Sequence, residues 1–475
     1  MLKCLAFFRI ITCKARRAAP EGGAARGKCE VCRKMLDIGT IHRREYELNS
    51  KKTDPPAKAK RPPAAAGHGA ANGADPAKAP AAAGAAPATG AAAAGAAKAQ
   101  EAPAVQTDAV FIAQAPGRLH FLGEHGGTGA GLCLSAAIDR FVKVAVSPRK
   151  DTALRFYAPD LNERKRTTLA SLRYKREDRW ANYAKVAIQL FVDAGFPVRG
   201  LNFTITGNIP QHVGLASSSA IEVASAIALR GLLKARVTEA EIARKLAAIH
   251  EQYFERAPGA ADYAICLSAR SDQFLLVDES GLSVEKIKSP FSRCSIILTD
   301  SRVPRIGVET ELQIRRGDIA YAAEMLSNGR KGATLREFAA MDLMDSMGNL
   351  PEKTRRRSLH FVQEIQRVSD AAELLRRGDT AGFSRLIYHS HEGLRDLYEI
   401  SCPEIDWMVK RAQETAGAFG ARMAGHGFGG CTYAIVRADA AEEYRQRLDE
   451  YERIFGFHPT IHEVRLATGC RLVQS

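Results

Sequence analysis

No run of about 18 apolar residues occurs in this chain, so it carries no ordinary membrane-spanning helix. No G-x-x-x-x-G-K-[ST] string occurs either, which excludes the lysine-bearing phosphate loop of most ATP-binding proteins. The ten cysteines are scattered without the spacing of a secreted disulfide framework. Reduced thiols are the expectation, and the cytoplasm is the expected compartment. Cys29 and Cys32 form one C-x-x-C pair, but a structural zinc needs four ligands and no second pair at regular spacing supplies them. Zinc-finger and recognition-helix signatures are missing, so nucleic acid is not an expected partner. Internal repeats are missing too.

What is present is unevenly spread. The 475 residues suffice for two or three domains, and 46% of them are hydrophobic, as in a globular protein. Residues 55–107 stand apart: they are nearly all Ala, Gly and Pro, as in "AAAGAAPATGAAAAGAAKA". Alanine favours helix, but the interspersed Gly and Pro break it and nothing there builds a core, so a disordered linker is expected. Residues 1–54 form a basic leader. Of the formal charge of +15, residues 1–107 contribute 18 Lys+Arg against 8 Asp+Glu (+10), and the remainder 50 against 45 (+5). Such a tail is either solvated and unstructured or a contact for anionic surfaces. Its start, "MLKCLAFFRIITCKARR", is basic and acid-free, but Arg9 splits the apolar run, which argues against a secretory signal. A transit peptide, an amphipathic anchor and an extension without targeting role all remain open.

From residue 108 strand and helix patterns alternate. "AVFIAQA" (109–115), "FVKVAVS" (141–147), "LNFTITG" (201–207), "QFLLVD" (273–278) and "CSIILTD" (294–300) read as strands. Apolar residues at helical spacing mark helices over 182–196 and 239–254. The text is then helix-rich to about 416, followed by "ARMAG", a glycine turn, "CTYAIV", a helix over about 439–454 and a last short strand. Two α+β lobes result, 108–290 and 291–475.

Three stretches carry chemistry. In "GLASSSAIEVASAIAL", Gly214, Leu215 and Ala216 lead into Ser217, Ser218, Ser219 and Ala220 at the start of an apolar helix. A first helical turn exposes unpaired N–H groups and a partial positive charge, small residues let a phosphate approach, and hydroxyls add hydrogen bonds or bind Mg2+. Serines in this position are also ordinary helix caps. In "APGRLHFLGEH" (115–125), a sharp turn after a strand would set Arg118, Glu124 and His125 close together. In "GARMAGHGFGGCTYAIV" (420–436), the glycines would let backbone approach a ligand or a facing loop. Each stretch alone is a tight turn; three in one chain are harder to dismiss.

Taken in order, these stretches resemble the three signature motifs of the GHMP kinases. "APGRLHFLGEH", "LRDLYEISCPEID" (394–406), "GFGGCT" (427–432) and "VRLATGCRLV" (464–473) are most similar to the galactokinase branch. The resemblance implies a two-lobed α+β fold: an N-terminal lobe like ribosomal protein S5 domain 2 and a ferredoxin-like, helix-rich C-terminal lobe. It implies phosphoryl transfer from ATP, with Mg2+, to a sugar hydroxyl, galactose first among the candidates. Asp262 in "GAADYAICL" would face that hydroxyl, with Arg118 beside it. Residues 214–220 would hold the ATP phosphates. Ser218, Ser219 and Glu251 would attend the metal. Glu124, His125, Gly425 and Gly427 would shape the sugar site. Three positions depart from the galactokinase pattern. Gly127 falls where a sugar-binding aspartate is usual, Leu312 where a tyrosine contacts the sugar, and Tyr263 where a glutamine follows the catalytic aspartate. Losing a hydroxyl acceptor weakens recognition, so another monosaccharide, or a non-catalytic sugar sensor on the same fold, is carried as an alternative.

Overall fold

The computed structural model describes residues 110–125, 131–211, 213–254, 259–346 and 348–474. The leader, the linker, Cys29, Cys32 and Gly127 lie outside the described residues. No described helix is long and apolar enough to cross a membrane.

The first sheet is built on an unusually long strand, β2 (Leu132–Pro148), paired antiparallel to β1 (Phe111–Leu122) along almost its whole length. The other edge of β2 serves two strands. Val142–Pro148 pair with β5 (Leu201–Gly207), and Leu132–Ser135 pair with β6 (Gln273–Asp278). β3 (Ala153–Ala158) runs parallel to β5 and forms a hairpin with β4 (Glu163–Thr168), while β7 (Ser283–Lys288) closes the β6 side. A second sheet, in the order β11-β8-β10-β9, uses β8 (Cys294–Asp300), β9 (Ala418–Ala424), β10 (Cys431–Arg437) and β11 (Thr460–Val464). β12 (Arg471–Gln474) returns to the first sheet and pairs with the free edge of β1.

Helices α1 (Ala181–Asp193), α2 (Ser217–Leu232), α3 (Glu239–Phe254) and α4 (Ala260–Ser268) belong with the first sheet. α2 lies against β1 and β2 and also touches α1, α3 and α4. This explains its composition: eleven residues, among them Ala220, Ala224 and Ala228, are buried around the helix, and small side chains allow elements to close in from several directions. Between β8 and β9 in the chain come α5 (Val308–Leu326), α6 (Ala340–Asp345), α7 (Glu352–Arg377), α8 (Thr380–Asp396) and α9 (Pro403–Gln413). The expected helix over 439–454 is two short ones, α10 (Ala441–Leu448) and α11 (Glu450–Phe455), interrupted at Asp449, whose N–H turns back to the Gln446 carbonyl. The sheets are tied together at Tyr433 on β10, whose hydroxyl donates to the Phe121 carbonyl on β1 at 2.7 Å.

One expectation needs correction. The chain does not turn after Ala115; β1 continues through Pro116 and Gly117 to Leu122. A bulge between Pro116 and Gly117 absorbs the proline, which lacks an N–H for the ladder, and pairing with β2 resumes at once. Arg118 is therefore a strand residue, and the turn begins at Gly123.

Candidate active site

Side chains two residues apart on a strand share a face. Arg118 and His120 thus leave β1 on the same side, toward Asp262 in the first turn of α4. Arg118 Nε donates to Asp262 Oδ1 at 2.6 Å and Nη2 to Oδ2 at 3.1 Å, a bidentate pair. Its remaining arm, Nη1, donates to the Gly214 carbonyl at 2.6 Å. The guanidinium therefore couples the carboxylate to the serine turn. His120 Nε2 lies 3.2 Å from Asp262 Oδ1, and its Nδ1 bonds the Ser135 hydroxyl on β2. Burial alone would raise the Asp262 acid, but the Arg118 charge and the His120 bond outweigh it and hold it well below the usual carboxylate range. Burial, followed by the Arg118 charge, pushes the His120 ring down, so it is neutral near pH 7 and faces the carboxylate as an Nε2–H hydrogen-bond donor.

The three signature stretches meet. The Arg118 N–H donates to the Leu215 carbonyl at 3.2 Å, and Gly214 packs backbone to backbone on Gly425. A Cβ on Gly214, where φ is +84°, would lie 2.4 Å from the Gly425 Cα. Gly214→Ala is accordingly expected to cost about 1–2 kcal/mol in backbone strain and about 1–3 kcal/mol more from overpacking. Its KM for ATP should rise, because the turn it displaces carries the serines. An unchanged denaturation midpoint would show that the loops are not in contact.

The cap reading of the serines fails. The N-cap of α2 is Ala216, in the left-handed region at φ 57°, and no side chain caps the helix. Ser217, Ser218 and Ser219 are its first three residues, and all line a cleft of about 1190 Å³. Arg118, His120, Glu124, His125 and Asp262 line the same cleft. So does Glu251, exposed in the last turn of α3. Among the described residues no three His, Cys, Asp or Glu side chains form a metal cage. The hydroxyls and Glu251 offer oxygen donors to this cleft, the chemistry that suits a hard cation drawing its remaining ligands from phosphate and water.

Glu124 is held on both oxygens. Oε1 accepts the Gly425 N–H at 2.7 Å, and Oε2 lies 3.4 Å from Arg422 Nη1. His125 sits beside Tyr398, 5.3 Å between ring centres, and its Nε2 is buried without a partner among the described residues. The residue that reaches the cleft from the glycine loop is His426; Gly425 instead packs on Gly214, and Gly427 on the Ile400 carbonyl. Leu312 lines the cleft from α5. Tyr263 does not: its hydroxyl donates to buried Glu222 Oε2 at 2.5 Å, and Glu222 Oε1 pairs with His250 at 2.7 Å, a network that ties α4 to α2 and α3. Sequence reasoning missed His120, which the alternation of β1 would have placed beside Arg118. It also missed Tyr398, Arg305 and Glu279 on the cleft wall, which come from distant segments and carry no local signal.

Comparison with known proteins identifies the family. Residues 182–270 match the GHMP kinases N terminal domain, and residues 371–453 match the GHMP kinases C terminal domain. The mevalonate kinase of Methanococcus jannaschii shares the fold at a TM-score of 0.57 and 18% identity, over 76% of this chain and 100% of that one. Fold and matched segments define the class, a GHMP kinase. Residues 103–148 match the galactokinase galactose-binding signature. A Treponema pallidum protein is 39% identical over 370 residues, 76% of this chain and 92% of that one. The galactokinase of Roseiflexus sp. is 32% identical over 75% of this chain and 92% of its own length; the human enzyme is 31% identical over 76% and 91%. The structure of Lactococcus lactis galactokinase with galactose superimposes at a TM-score of 0.72 with 25% identity, over 77% of this chain and 96% of that one. The chain belongs to the galactokinase family and is a sugar kinase.

Proposed function

We propose that the protein transfers the γ-phosphoryl group of ATP to the anomeric hydroxyl of galactose, giving galactose 1-phosphate and ADP. The bond from the sugar oxygen to the γ-phosphorus forms, the bond from that phosphorus to the β,γ-bridging oxygen breaks, and the hydroxyl proton leaves. The observation that carries this reading is the Arg118–Asp262 pair, fastened to the Gly214 carbonyl in a cleft shared with the serine turn.

Asp262 orients the sugar hydroxyl and receives its proton. A carboxylate held so acidic abstracts a proton poorly before the bond to phosphorus forms, which suits the loose transition states of phosphoryl transfer. Arg118 keeps Asp262 ionised and offsets charge on the moving group. The first-turn N–H groups of α2 and the hydroxyls of Ser217, Ser218 and Ser219 cradle the phosphates. Ser218, Ser219 and Glu251 would hold Mg2+, whose chemistry is to neutralise phosphate charge. Glu124 and His125 position the sugar; residues 108–290 form the nucleotide lobe and 291–475 its companion. We place the protein in the cytoplasm.

A panel of monosaccharides with Mg-ATP, read by ADP release and by the position of the phosphate, tests the assignment. Phosphate on the anomeric carbon of galactose is expected. Turnover only of another sugar moves the assignment to a different monosaccharide, a second reading favoured by Leu312 on the cleft wall. Sugar binding without any turnover would make the protein a sensor.

A further inference from the structure

One carboxylate in the cleft is not used by this mechanism. Glu279 follows β6, and its N–H continues the strand pairing by donating to the Gly131 carbonyl at 3.0 Å. The side chain enters the cleft that also holds Asp262, Arg118 and His120. Its Oε1 lies 2.8 Å from the point where a Cβ on Gly259 would stand. Gly259 is the N-cap of α4, three residues before Asp262. The carboxylate thus lies directly over the start of the helix that presents Asp262, close against the bare backbone of Gly259. Its Oε2 is shielded from solvent and has no partner among the described residues.

An unpaired, desolvated carboxylate oxygen is costly, and native structures keep few such groups without reason. Two ligands can be set aside. Polyphosphate would be repelled by a second carboxylate next to Asp262. A cation held by the protein alone would need several further ligands, and those assigned to the metal above are Ser218, Ser219 and Glu251, not Glu279. A neutral polyol fits, because its hydroxyls donate short, strong bonds to carboxylate.

We propose that Glu279, placed just after β6, accepts a hydrogen bond from a sugar hydroxyl other than the one phosphorylated. The proposal rests on the sugar-kinase reading above. Burial and the nearby Asp262 push this acid up to about 7, with Arg118 opposing and Asp278 adding to the shift, so a donated hydroxyl bond also relieves its desolvation.

The test compares Glu279→Ala and Glu279→Gln with the unaltered enzyme on galactose, and on galactose analogues each lacking one hydroxyl. For Glu279→Ala, kcat/KM for galactose falls roughly ten- to a hundred-fold, through KM for the sugar. The KM for ATP and kcat stay close to those of the unaltered enzyme. One analogue should lose little further on substitution, since its missing hydroxyl is the one Glu279 reads. Melting temperature should not fall in either variant, because this oxygen has no protein partner to lose. A fall in kcat with KM unchanged overturns the proposal, as does an equal added loss with every analogue. If the unaltered enzyme turns over another hexose instead of galactose, the substrate assignment fails, and the same comparison runs on that hexose and its deoxy forms.

Discussion

Asp262→Asn lowers kcat by about 10²- to 10⁴-fold, the span of a positioned acid–base group, while ATP binding persists. The amide keeps the shape of the carboxylate but turns one acceptor toward Arg118 into a donor, and it cannot take the hydroxyl proton. The serine turn is untouched except through the Arg118 bond to the Gly214 carbonyl, so the ATP dissociation constant should move only slightly. Single-turnover phosphorylation with a parallel nucleotide titration separates the two effects. Unchanged turnover would remove Asp262 from the mechanism. The pH behaviour has a definite sign. The folded-state pKa of Asp262 lies below its unfolded value of about 3.9, so the stability it contributes is present above that value and is lost as pH falls through the folded pKa. Asp262→Asn should therefore lose stability at neutral pH and flatten the acid side of the stability curve. An unaltered acid limb would contradict the assigned direction.

Arg118 substitutions should be still more damaging, because one side chain makes three bonds. Arg118→Ala leaves the Asp262 carboxylate buried with only His120 against it. Breaking a buried pair this way costs about 3–5 kcal/mol, readable by denaturant unfolding. Arg118→Lys restores a charge but not the fork. An ammonium is a point donor and cannot reproduce two parallel bonds to Asp262 and a third to Gly214. It should recover part of the stability while kcat stays down by roughly 100-fold or more. Full recovery of kcat in Arg118→Lys would show that charge alone matters and that the bidentate geometry does not.

The parts of the fold that were legible are those whose pattern reflects burial. α3 spans the residues its periodicity marks, 239–254, and β5, β6 and β8 coincide with their apolar runs. β4 ("ERKRTT") and β7 ("SVEKIK") escaped because much of each faces solvent and their charged side chains leave no apolar signature. The full reach of β1 was hidden by Pro116, which reads locally as the end of a strand; only the partner β2, with a bulge to receive it, shows otherwise.

The site divides in the same way. Glycine and small residues betray close approach wherever they occur, so the serine turn and the glycine loop stood out in the text. Arg118 stood out in its own stretch, but Asp262 and its pairing with Arg118 were reached only through resemblance, since 144 residues separate the two and nothing local joins them. By itself, then, the sequence determined the family, the small-residue turns and the buried face of each element, because these depend on neighbours along the chain. Tertiary structure alone decided which turns touch, that Tyr263 faces Glu222 and not the cleft, and that Glu279 arrives over Gly259. The reason is physical: the direction of a side chain in space is set by sheet pairing and helix packing between segments far apart in sequence, and no local pattern encodes it.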